Sequence, residues 1–160
     1  MNLDAFYSIL SGACLAMSGL WWGVVEGRKD WLKNPQLRSL AGGVYASFLI
    51  PAVMALGAQI GGDNKLVWRF VFASAALVGM FFTTRLLAQM RKLPQPGFFT
   101  RSRWMVIVVY VLVLVLGVFP EFTTPSGMKP IQVEGFLLCI IVLSGHGLAW
   151  EMMTRAPEQI

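Results

Sequence analysis

Five apolar runs, each about twenty residues long, alternate with short polar segments along the chain, at approximately residues 5–26, 39–60, 66–89, 104–122 and 131–151. A hydrocarbon core roughly 30 Å thick is crossed by about 20 apolar helical residues. Charges collect between the runs and do not recur at strand or amphipathic-helix spacing, so the pattern predicts transmembrane helices. The fourth run, WMVIVVYVLVLVLGVF, is rich in β-branched residues and resembles a buried strand. A lone strand in lipid leaves its backbone unpaired, whereas a helix pairs its own. The expectation is one all-α integral membrane domain, a five-transmembrane-helix bundle over residues 1–160 with no soluble domain.

The polar segments set an orientation. Arg28, Lys29, Lys33 and Arg38 follow the first run. Arg85, Arg91, Lys92, Arg101 and Arg103 lie between the end of the third run and the start of the fourth, and Arg155 follows the fifth. The other side keeps Lys65, Arg69 and Lys129. Basic residues in short loops stay cytoplasmic, which predicts the N-terminus outside and the C-terminus inside. Trp21, Trp22, Trp104 and Trp150 fall near the inner boundary and Trp68 near the outer one, where indole rings prefer to sit. Pro94, Pro96 and Gly97 mark a turn in the inner loop; Pro120, Pro125, Gly127 and Pro130 mark one in the outer loop. The first run has no basic leader and ends in Arg28 and Lys29, so it reads as a retained span, not a cleaved signal.

Composition narrows the function classes. The chain is 56% hydrophobic and 13% charged, with net charge +5 and mean hydropathy +0.64. A soluble domain carries roughly 25% charged residues. The positive excess lies beside helix ends, where anionic lipid headgroups are the expected partners and nucleic acid is not. The expected location is a cell membrane, crossed several times, of the bacterial inner-membrane type. A single His, two isolated Cys and no phosphate-binding or hydrolase motif leave no expected metal, cofactor or catalytic residue.

Small residues mark the faces expected to pack, because glycine lets helix backbones approach closely in lipid. Gly19, Gly23 and Gly27 follow at four-residue spacing, with Gly12 and Ala16 extending the row. Either this row packs within one chain, the favoured reading, or it meets another subunit. Pro51 near the middle of the second run predicts a kink. The fourth run has almost no small residues and is expected at the periphery against lipid, with the other four forming the core.

Ionisable residues inside the apolar runs are the functional leads, since each costs roughly 2.5–3.5 kcal/mol at a helix centre. Glu26 shares the glycine face, Glu151 ends the fifth run at a similar depth, and Arg85 is within reach of both by depth. His146 sits in SGHG, flanked by two glycines. Together Glu26, Arg85, His146 and Glu151 suggest an inner polar site, with His146 titrating and an acid as proton or cation partner. Arg69 and Glu134 begin their runs at comparable outer depth and suggest a structural pair. The leading functional expectation is a small membrane protein, oligomeric or part of a larger complex, that binds or moves a small solute or ion. An accessory subunit of a membrane complex is the second, and an enzyme acting at the lipid interface the third.

Overall fold

The computed structural model describes residues 2–62, 64–90, 97–122 and 127–154. Among them all regular structure is helical: α1 (Leu3–Gly27), α2 (Lys29–Lys33), α3 (Pro35–Gly61), α4 (Lys65–Met90), α5 (Phe98–Arg101), α6 (Trp104–Val118) and α7 (Pro130–Thr154). Four of these (α1, α3, α4 and α7) are long and apolar enough to cross a membrane, which makes the chain a multi-pass membrane protein. The fourth apolar run forms a shorter helix than its hydropathy predicts. α6 has 15 residues, about 22 Å at 1.5 Å per residue. Phe119 leaves the helical region at φ −121° and ψ 73°, as expected for a residue preceding proline, here Pro120.

Local chemistry explains the other boundaries. The side chain of Asn2 accepts from the amides of Asp4 and Ala5 and starts α1. Asn34 accepts from Gln36 and Leu37 and starts α3, with Pro35 in the first turn, where its missing N–H costs nothing. Gly62 ends α3 at φ +49°, a value glycine adopts without strain. Pro51 is buried inside α3, which continues through it. The turn residues Pro94, Pro96 and Pro125, with Arg91, Lys92 and Arg155, lie outside the described residues.

α3 is the hub: α1, α4 and α7 pack against it, and α6 closes the bundle between α4 and α7. One apolar cluster gathers Tyr7, Met54, Phe72, Tyr110, Val113 and Leu138. A second, nearer the end holding α2 and α5, gathers Trp21, Trp31, Val44, Phe48 and Leu148. α1 turns Tyr7, Ser11, Cys14, Ser18, Trp21 and Val25 inward at alternating spacings of four and three. Two polar clamps hold it to α3. Trp21 Nε1 donates to the Ala41 carbonyl at 2.9 Å. Gln59 Nε2 donates to Ser11 Oγ and to the Tyr7 carbonyl at 3.1 and 3.3 Å.

Two packing expectations change. α6 is not peripheral: Val106, Val109, Tyr110 and Val113 are buried against α4 and α7. Its missing small residues are supplied by the partner, since the Tyr110 ring rests directly on Gly79 of α4. The row Gly12, Gly19, Gly23 and Gly27 does not pack within the chain; all four are exposed and a Cβ at any of them meets nothing within 4 Å. The close approaches occur at other glycines. A Cβ at Gly145 of α7 would lie 2.6 Å from Ser47 Cβ of α3.

Gly145→Leu is therefore expected to destabilise the detergent-solubilised protein by about 1–3 kcal/mol. Gly23→Leu should change it by less than about 0.5 kcal/mol. Thermal unfolding of the two variants side by side checks this, and equal losses would contradict the packing described.

Candidate anion site between α3, α4 and α6

The α3–α7 approach at Gly145 brings three polar groups to one buried point. Arg103, the residue before α6, folds its side chain inward and is 3% exposed. Its Nη2 donates to the Gly43 carbonyl at 3.2 Å and makes a short hydrogen bond to Ser47 Oγ. Nη1 reaches Ser144 Oγ at 3.5 Å. Ser47 Oγ donates in turn to the Gly43 carbonyl at 2.7 Å, and Ser144 Oγ to that of Ile141 at 2.8 Å. All of these acceptors are neutral. No carboxylate among the described residues forms an ion pair with Arg103, and its Nε, also buried, has no hydrogen-bond partner.

The guanidinium borders a cavity of about 440 Å³ between α3, α4 and α6. Arg103, Ser47 and Tyr110 line it from the interior; Ser39, Arg85 and Gln89 line it toward the end that holds α2 and α5. Its lining includes two arginines and no acid. A buried cation with neutral partners and a free N–H is an incomplete ion pair, because a charge removed from water is normally matched by an opposite one. The planar guanidinium suits a carboxylate or phosphate that would supply that match.

Contacts between α5 and α7 hold the segment that leads into Arg103. Glu151 of α7 accepts from the amides of Phe99 and Thr100 at 2.8 and 3.2 Å and from Thr100 Oγ1, so it caps the start of α5. The Phe99 ring lies flat against the open face of Gly147. α5 is thereby tied to α7, and the turn at Ser102 and Arg103 delivers the side chain inward.

The residues expected to form an inner polar site do not converge. Glu26 is exposed on the outer face of α1, with no ion pair among the described residues. His146 is exposed in a separate groove between α1 and α7 beside Met17, Trp21 and Trp150, its ring 5.3 Å from that of Phe48. The flanking glycines serve other neighbours, Gly145 admitting Ser47 and Gly147 admitting Phe99. Glu151 positions α5. Of the four, Arg85 alone reaches the cavity; it is exposed and holds its guanidinium 4.9 Å from the Phe81 ring centre.

At the opposite end, Arg69 and Glu134 form no ion pair within 4 Å. Arg69 caps α6, its Nε donating to the Gly117 carbonyl at 2.7 Å and Nη2 to that of Val118 at 2.6 Å. A cation there answers the unpaired carbonyls of a helix end. Glu134 is fully buried, and neither carboxylate oxygen has a hydrogen-bond partner. Its Oε1 lies beside Gly117 of α6, 3.7 Å from where a Cβ would stand. Tyr7 is nearby in the fold but donates to the Ile131 carbonyl at 2.6 Å.

No protein-family model, curated protein sequence or solved structure matches this chain.

Glu151→Gln keeps the volume of the α5 cap and removes its charge. The expected loss is about 1 kcal/mol, read as roughly five-fold faster hydrogen exchange at the Phe99 and Thr100 amides. Unchanged protection at both amides would show that Arg103 is held in place by something else.

Proposed function

We propose that the chain is a five-span protein with its N-terminus outside and its C-terminus inside, and that it binds and moves a small solute carrying a negative charge. The observation that carries this reading is the buried Arg103, with neutral partners and an unpaired Nε, lining a cavity large enough for a small molecule. Arg28, Lys29, Lys33, Arg38, Arg85, Arg101 and Arg103, all toward the α2 and α5 end, support the orientation. α6, shorter than the hydrocarbon core, serves as the fifth span together with the segments at either end.

A second reading, an accessory subunit docked on a larger membrane complex, has one observation in its favour. The Gly19–Gly23–Gly27 face of α1 is open, the kind of surface on which a neighbouring helix approaches closely. Native mass spectrometry after mild extraction separates the two: a stoichiometric foreign subunit favours docking, while a homo-oligomer or monomer leaves the solute reading ahead.

Orientation is checked with Asn34→Cys, which is expected to resist a membrane-impermeant thiol reagent added outside intact cells; labelling from outside would reverse the topology. Transport is checked in proteoliposomes with alkylsulfonates, which keep their charge at all working pH values. Currents evoked by a sulfonate jump are expected to fall about ten-fold in Arg103→Gln, the loss of one charged hydrogen-bonding group. Glu26→Gln should retain them. Equal currents in wild type and Arg103→Gln would overturn the assignment of the site.

A further inference from the structure

Resting on that reading, we infer that the solute is an anionic amphiphile, an oxyanion head carried on an acyl chain, which enters the cavity sideways from the bilayer. The cavity is mostly apolar, with polar groups at its inner wall and at one end. Arg103, Ser47, Thr83 and Tyr110 supply the inner groups and Ser39, Arg85 and Gln89 those at the end, whereas Ala46, Leu49 and Ile50 of α3 and Val78, Phe82 and Leu86 of α4 supply the apolar lining between them. The mouth lies between α3 and α4, and the α4 residues at its lip point outward: Val78 is 48% exposed and Phe82 54%. These side chains sit in the middle of a membrane-crossing helix, so the surface they share with the mouth is in contact with hydrocarbon. A ligand arriving there comes from lipid.

Size and charge point the same way. At roughly 30 Å³ per water, 440 Å³ holds about fifteen waters, far more than an inorganic oxyanion fills. An inorganic ion would also leave the apolar walls wet and would lose its hydration on the way in. An acyl chain fills the space between α3 and α4, and its burial there offsets the desolvation of the head at Arg103. Arg85, held against Phe81 at the same cavity, adds a second positive charge on the aqueous side of the head. No acid lines the cavity to repel it.

Thermal unfolding and native mass spectrometry of the full chain in a neutral maltoside detergent test this. Four probes are added in turn: oleate, phosphatidylglycerol, phosphatidylcholine and inorganic phosphate. One-to-one adducts and raised unfolding temperatures are expected with oleate, with phosphatidylglycerol, or with both, and whichever acts identifies a free fatty acid or a bilayer lipid as the source. Affinity is expected to fall about ten-fold in Arg103→Gln. Arg85 is exposed, so Arg85→Gln keeps the fold; it should weaken binding about three-fold through the lost charge. Ala46→Phe, which fills the groove, should abolish binding of the chain-bearing probes. Phosphatidylcholine binding as tightly as phosphatidylglycerol would overturn the proposal, because the arginines would not be selecting charge. Binding of inorganic phosphate alone would overturn the amphiphile while leaving an anion site at Arg103. No binding by any probe would overturn both.

Discussion

A guanidinium taken out of water costs several kcal/mol unless an opposite charge or a full set of hydrogen bonds meets it. Arg103 is 3% exposed and is met by one carbonyl and two hydroxyls. Much of the bundle is arranged around that side chain. Gly145 lets α7 come close enough to α3 for Ser144 and Ser47 to reach it. Gly79 gives the Tyr110 ring a flat seat, which leaves the cavity beside the guanidinium unfilled. Glu151 and Gly147 together pin α5, the short helix whose turn sends Arg103 inward. A fold that spends so many small residues on holding a cation beside an open cavity is suited to receiving an anion there.

The polar groups at the other end of α6 are arranged differently. Arg69 spends its donors on the last carbonyls of α6, which ties the shortest apolar helix to α4. Glu134, one helix away and fully buried, is left without a hydrogen bond. The two ends of α6 thus lie beside one unmatched cation, Arg103, and one acid without a hydrogen bond, Glu134 of α7. Because the helix that joins them is itself buried against α4 and α7, movement of α6 would alter the surroundings of both groups at once.

The apolar runs were legible because their length and freedom from charge are properties of local sequence, and four of them emerged as long helices close to the expected bounds. The fourth was legible as a helix but not as a short one, since its hydropathy continues past the point where Pro120 ends it. Which faces pack was less legible. Gly19, Gly23 and Gly27 carry the spacing of a packing motif, yet it is the row from Tyr7 to Val25 that turns inward. Glycine permits close approach; large inward residues and their hydrogen bonds decide where it happens. The site was least legible of all. Arg101 and Arg103 are two residues apart in one basic loop, and nothing in their neighbours marks one as exposed and the other as buried. That difference arises from Glu151 and Gly147, about fifty residues later in the chain, and so belongs to tertiary structure. Glu151 was visible as an unusual acid at a helix end, but its amide partners were not.

The central claim is that Arg103 is an unmatched charge awaiting a ligand, and not a strut of the bundle. Replacing it by Met orphans no partner, because Ser47 and Ser144 keep their own hydrogen bonds to Gly43 and Ile141. The most direct measurement is the unfolding temperature of wild type and Arg103→Met, each with and without an anionic amphiphile. The account predicts that Arg103→Met is at least as stable as wild type without the amphiphile, as found when buried charges give way to apolar groups of similar size, and gains nothing when it is added. A variant destabilised by about 3–5 kcal/mol under both conditions would make Arg103 a structural residue and contradict the site.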